Sequence, residues 1–129
     1  MRLFSFVLAS VFAIGSASLC AEEVAEPCQR AGCIPKLFEV VKERYPHLKL
    51  DLDLCKGSQK WADHLADTGQ FKHDRGVKEN IARGYRTSLD AVRAWFKSPG
   101  HNRQFKNNVR IGFGASERNG RRIWVSRFR

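Results

Sequence analysis

Apolar residues recur along this chain in several distinct rhythms, and each rhythm predicts an element. Leu37, Phe38, Val40, Val41 and Tyr45 fall mainly on one face at helical spacing, opened near Pro35 and stopped by Pro46. Leu48, Leu50, Leu52 and Leu54 then alternate with Lys49, Asp51 and Asp53. The period of two suggests a strand, but Leu52 to Leu65 equally opens a second helix, and the helix is the preferred reading. Ser58 is the expected cap of that helix, with Trp61, Ala62, Leu65 and Ala66 inward, an end at Thr68 and Gly69 as a left-handed stop. A loop carrying His73 and Glu79 follows. Thr87 with Asp90 makes a capping-box-like start, and Leu89, Val92, Trp95 and Phe96 form the buried stripe of a third helix that Ser98-Pro99-Gly100 ends. Val109, Ile111, Phe113 and Ala115 alternate with Arg110, Gly112, Gly114 and Ser116, which predicts a strand with one apolar face. Asn119-Gly120 is the favoured two-residue hairpin turn, and Arg122 to Phe128 returns as the partner strand. Helices followed by a hairpin predict an α+β domain in which helices cover a small antiparallel sheet.

At 129 residues the chain suffices for one domain and not for two. The first twenty residues stand apart: Arg2, an apolar run from Leu3 to Ile14, then Gly15, Ser16, Ala17 and Ser18 read as a secretory signal peptide over 1–20. Cleavage fits before Ala21, with a cut after Ala17 as the alternative. Leu19 directly before Cys20 argues against lipidation there. Residues 21–35 form a cysteine-bearing tail and 36–129 the domain. No later stretch reaches the ~20 apolar residues of a membrane span, so the mature protein is expected to be soluble and secreted, extracellular or, in a Gram-negative bacterium, periplasmic. Cys28, Cys33 and Cys55 remain after cleavage, and an oxidising compartment favours one disulfide. Cys28 with Cys33 closes a small loop, whereas either of them with Cys55 pins the tail to the domain.

The formal charge of +10 is unevenly spread. From His101 onward Arg103, Lys106, Arg110, Arg118, Arg121, Arg122, Arg127 and Arg129 face Glu117 alone. Such a segment suits phospholipid headgroups, including peripheral contact with a membrane surface, or an anionic glycan. Phe113, Trp124 and Phe128 are better explained by sheet packing than by stacking on bases, which disfavours nucleic acid. A solvated basic surface serving solubility is the plain alternative.

Candidate chemistry concentrates between Phe71 and His101. His73 and His101 are too far apart in sequence to share a helical face, so residue spacing alone defines no metal motif. Taken locally, His73 caps a helix end, Glu79 pairs with Lys78 or an arginine, and His101 bonds a turn. His64, one turn from Lys60 on the polar side of the second helix, reads as solvent-facing or capping.

Five segments in order give these residues a context: Gln59-Lys60-Trp61-Ala62-Asp63-His64-Leu65 before Phe71-Lys72-His73; Glu79-Asn80-Ile81-Ala82; Ala94-Trp95-Phe96-Lys97-Ser98-Pro99-Gly100-His101; Ile111-Gly112-Phe113-Gly114; and Ile123-Trp124-Val125-Ser126-Arg127-Phe128. Together they resemble the CAP superfamily of cysteine-rich secretory, antigen 5 and pathogenesis-related proteins (the SCP domain), in its compact bacterial-type form. The resemblance implies an α-β-α sandwich and a cleft lined by two histidines and two acids that holds a divalent metal such as zinc. On the matching positions His73 and His101 are the metal ligands and Glu79 the first acid. Ser98 stands where the family places its second acid, and Lys78 replaces a glycine. The expected function is a binding module for a lipid, sterol, glycan or protein ligand. The alternatives are a metal-dependent hydrolase with Glu79 as base, which lacks its second carboxylate, and a cationic defence protein acting through its arginines.

Overall fold

A computed structural model describes residues 34–129 of the chain. The expected signal peptide, most of the tail, and Cys28 and Cys33 lie outside the described residues. The elements run α1 (Ile34–Arg44), β1 (Lys49–Leu50), α2 (Leu52–Thr68), β2 (Glu79–Arg83), α3 (Ser88–Lys97), α4 (Pro99–Asn107), β3 (Arg110–Arg118) and β4 (Arg121–Phe128). The four strands make one sheet in the order β1-β3-β4-β2. It is mixed rather than antiparallel, because β1 pairs parallel with β3.

Both readings of the leucine alternation turn out to hold in part. Two residues form a strand, with Lys49 N–H bonded to Val109 O and Asp51 N–H to Ile111 O. Asp51 then ends it, because its carboxylate accepts from Asp53 N–H and Leu54 N–H and so caps α2 two turns earlier than Ser58. Ser58 is instead fully buried within the helix, its hydroxyl donating to Gly112 O at 3.1 Å. The stop at Gly69 is as expected, with φ 69° and its N–H on Leu65 O.

The sheet separates two unlike layers. On one side Ile111, Phe113, Ala115, Trp124 and Phe128 pack with Leu37 and Val41 of α1, Val92 and Trp95 of α3, and Phe105 of α4. On the other, Ile81, Ile123 and Val125 meet Ala62, Leu65 and Ala66 of α2. The single apolar face expected for β3 therefore needs correction: Gly112 and Gly114 are buried as well, because α2 lies directly on them. A Cβ on Gly112 would stand 2.2 Å from Cys55 N, and one on Gly114 2.3 Å from Gln59 N. The Gln59 side chain completes this contact by donating to Ala115 O and accepting from Ala115 N–H.

Thr87 caps α3 as its spacing predicts, accepting from Asp90 N–H. Ser98, however, does not lead into a turn. Its extended backbone, required before proline, passes straight into α4 with Pro99 in the first turn. Phe105 is the one buried side chain of α4 and lies 5.0 to 6.4 Å from the rings of Tyr45, Trp95, Phe96 and Phe128. The hairpin turn has φ 50° at Asn119 and 73° at Gly120, as the pair predicts.

Candidate functional site at the sheet edge

β2 borders the sheet, and the candidate residues gather at its first two positions. Strand parity sends Glu79 to the α2 side and Asn80 to the α3 and α4 side, so groups from both layers meet there. Glu79 opens a strand rather than sitting in the loop, and it is buried. Its Oε1 accepts from Asp74 N–H at 2.8 Å and lies 3.2 Å from His73 Nδ1. Its Oε2 forms an ion pair with Nε of the cross-strand Arg127 at 3.3 Å, without hydrogen-bond alignment. Arg127 also donates to Asp74 Oδ2 at 2.7 Å. One carboxylate and one guanidinium thus hold the loop that carries His73, whose own ring is largely exposed.

From the other layer comes His101. It occupies the first turn of α4 rather than an irregular turn, with Nδ1 2.9 Å from Ser98 Oγ and its carbonyl accepting from Asn80 Nδ2. Burial, and secondarily the facing His73 charge, holds the His101 imidazole below its ordinary pKa. His73, Glu79, Asn80, Ser98, His101 and Gln104 line one open cavity of about 400 Å³. With both Nδ1 atoms engaged, Nε2 is the nitrogen each imidazole has left for a ligand. Ser98 is the polar side-chain partner of His101.

Lys78 is not among the lining residues; its amine donates to Asn108 Oδ1. His64 is exposed and stacks on Trp61 at 4.8 Å, away from the cleft. Sequence reasoning missed Arg127, Gln104 and Asn80 as site residues. Asn80 is fully buried and its Oδ1 has no hydrogen-bond partner among the described residues. The Glu-Asn-Ile segment carried a signal for Asn80, whereas Arg127 is identified only by its strand register opposite Glu79.

Residues 42–128 match the cysteine-rich secretory protein (CAP) family. The chain belongs to that family. Solved structures agree in fold. An outer surface protein from Borrelia burgdorferi aligns with a TM-score of 0.66 at 20% identity, over 75% of this chain and 91% of that one. Schistosoma mansoni venom allergen-like protein 4 aligns at 0.55 and 15% identity, over 81% and 88%. NaASP2, solved with Zn2+, aligns at 0.51 and 15% identity, over 81% and 80%. No curated protein matches by sequence. Among the described residues of this CAP domain, no three His, Cys, Asp or Glu side chains are grouped to hold a metal. The cleft brings His73 and His101 to one cavity without a third such side chain grouped with them among the described residues.

The basic C-terminal segment also differs from its formal charge. Arg118 pairs with Asp67, Arg122 with Glu117, Arg127 with Asp74 and Glu79, and Arg110 and Arg129 with Asp51. Arg103, Lys106 and Arg121 are exposed and have no such partner among the described residues.

Proposed function

We propose that this protein is a secreted CAP-family binding module, with a cleft that holds zinc weakly between His73 and His101 and a cationic exterior that meets anionic glycan or lipid headgroups. The observation that carries the choice of binding over hydrolysis is the state of Glu79. A general base needs a carboxylate free to take a proton from water. Glu79 is buried, bound by Asp74 N–H and His73, and charge-paired with Arg127. Its geometry suits orienting His73 so that Nε2 points outward, the supporting role that carboxylates commonly play behind metal-bound histidines. Zinc bound there would retain open positions for a ligand group.

Pairing of Cys55 with Cys28 or Cys33 belongs to the same proposal, since secretion favours disulfides and Cys55 is buried on α2 beside Gly112. Two assays test the module. Vesicles of phosphatidylglycerol, or heparin beads, should retain the protein at low salt and release it as salt rises; retention by phosphatidylcholine alone would contradict the cationic part. Hydrolysis of esters or peptides that depends on added zinc and is lost in Glu79→Gln would overturn the non-catalytic reading.

A further inference from the structure

Beyond the cleft, the free edge of β2 runs along a groove. Two backbone bonds fix which groups point outward: Gly84 N–H donates to Arg122 O and Phe128 N–H donates to Lys78 O, each at 2.9 Å. Residues of an antiparallel strand alternate between facing and leaving the partner strand. With Lys78 and Gly84 facing β4, Ile81 and Arg83 turn their N–H and C=O groups away from it. The Ile81 carbonyl agrees with that direction, since it accepts from Trp95 Nε1 at 3.3 Å. The Ile81 N–H and the backbone groups of Arg83 are thus directed to the open side of the sheet.

Three cavities adjoin along that side. A cavity of about 300 Å³ beside Phe71, Ile81, Tyr85 and Trp95 shares Ser98 and His101 with the histidine cleft. At its other end it shares Phe71 and Arg83 with a cavity of about 390 Å³ that reaches Leu65 and Arg121. Phe71 and Tyr85, two of the large apolar side chains exposed among the described residues, flank the strand. The Arg83 guanidinium lies over the Phe71 ring at 4.9 Å. Neither Arg83 nor Arg121 has a carboxylate partner among the described residues.

We propose that the β2 edge docks an extended acidic peptide of a partner protein, added to the sheet as a further strand with its carboxylates beside Arg83 and Arg121. A row of outward backbone donors and acceptors is matched by another backbone and not by an acyl chain. Side chains of an added strand alternate sides, so one set meets the aromatic walls of the groove while the backbone pairs. Within β2 the Ile81 N–H and the N–H and C=O of Arg83 are the groups left for pairing, about 7 Å of edge that a three-residue segment covers while its acidic end reaches Arg121. The two unpaired arginines select the acidic end by charge.

The test uses fluorescein-labelled Thr-Val-Thr-Val-Glu-Glu and its reversed sequence, so that either strand direction is sampled, followed by fluorescence anisotropy with the secreted protein. One of the two should bind, and methylating alternate amides of that peptide, or combining Arg83→Ala with Arg121→Ala, should weaken it by about tenfold or more. Amide shifts in two-dimensional NMR should be larger at Ile81 and Arg83 than at Ala82. His73→Ala, which removes a cleft ligand that does not line this groove, should leave peptide affinity unchanged, so failure of the zinc reading and failure of this one are separable. Equal affinity of both alternately methylated forms and the parent would overturn the proposal. So would dodecanoate binding in the groove while neither peptide binds.

Discussion

The two faces of the sheet are built on opposite principles. Toward α1, α3 and α4 the strands present large side chains, and Phe105, Phe113, Trp95 and Trp124 fill the space between layers. Toward α2 the central strand presents hydrogen atoms, since Gly112 and Gly114 let the helix backbone rest directly on the strand. One layer is held by apolar volume and the other by closeness. The difference explains where the site lies: the layers meet at the β2 edge, where Glu79 belongs to the close-packed side and Asn80 and His101 to the aromatic side.

Adding a methyl group should therefore harm one face at least as much as deleting a whole ring harms the other. Gly114→Ala places a Cβ 2.3 Å from Gln59 N, which no rotamer can relieve. We expect a loss of at least ~4 kcal/mol, enough to prevent soluble expression or a cooperative melt. A Gly114→Ala protein melting within a few degrees of wild type would show that α2 can lift off the sheet.

Trp95→Ala on the aromatic side should cost about 3 to 5 kcal/mol by truncating a buried ring and freeing the Ile81 carbonyl. Denaturant unfolding reads it directly. An unchanged midpoint would mean the ring contributes as a ligand contact instead of as core.

Asp51 sits where β1 becomes α2, and Asp51→Ala should cost about 1 to 2 kcal/mol through loss of the cap. The backbone bond from Leu54, with Arg129 adding to it, holds its carboxyl below the ordinary value despite burial. The folded state therefore binds that proton less readily than the unfolded chain. The stability it supplies is present above the unfolded pKa and lost as pH falls through the folded one, in the region below about pH 4. Asp51→Asn should flatten that part of an acid-unfolding curve; an identical curve would contradict the assignment.

The smallest expected effect is at His101. Its depressed pKa has the same sign, so its contribution is present above about pH 6.5 and is lost as pH falls below that. His101→Gln should leave stability at pH 8 nearly unchanged and reduce the loss between pH 7 and pH 5. Proton-NMR titration of the imidazole checks the direction of the shift; a pKa above 6.5 would remove its basis.

Much of this arrangement was legible in the sequence. Periodicity located α1, the inward residues of α2, the capped α3 and the Asn119-Gly120 hairpin, and the ordered motifs carried the family fold. Reasoning failed where one residue's role is set by a distant partner. Asp51, not Ser58, caps α2 because β1 must first pair with β3. Gly112 and Gly114 look like the polar half of an alternation until α2 is laid on them. The nine residues of α4 bury only Phe105, too little to register as an apolar stripe. The family motifs point to His73, Glu79, Ser98 and His101, but Arg127, which pairs with Glu79, is visible only through strand register.

The central claim is that His73 and His101, carried by different layers, offer the same kind of nitrogen to one cleft. Zinc titrated into protein labelled with nitrogen-15 in its imidazoles tests this most directly. At pH 7.5 the account predicts that Nε2 of both His73 and His101 shifts together while both Nδ1 resonances keep their hydrogen-bonded positions. Lowering the pH should weaken both responses together, because protons compete with the metal for the imidazole nitrogens. A shift confined to one of the two histidines, or one centred on Nδ1, would contradict it.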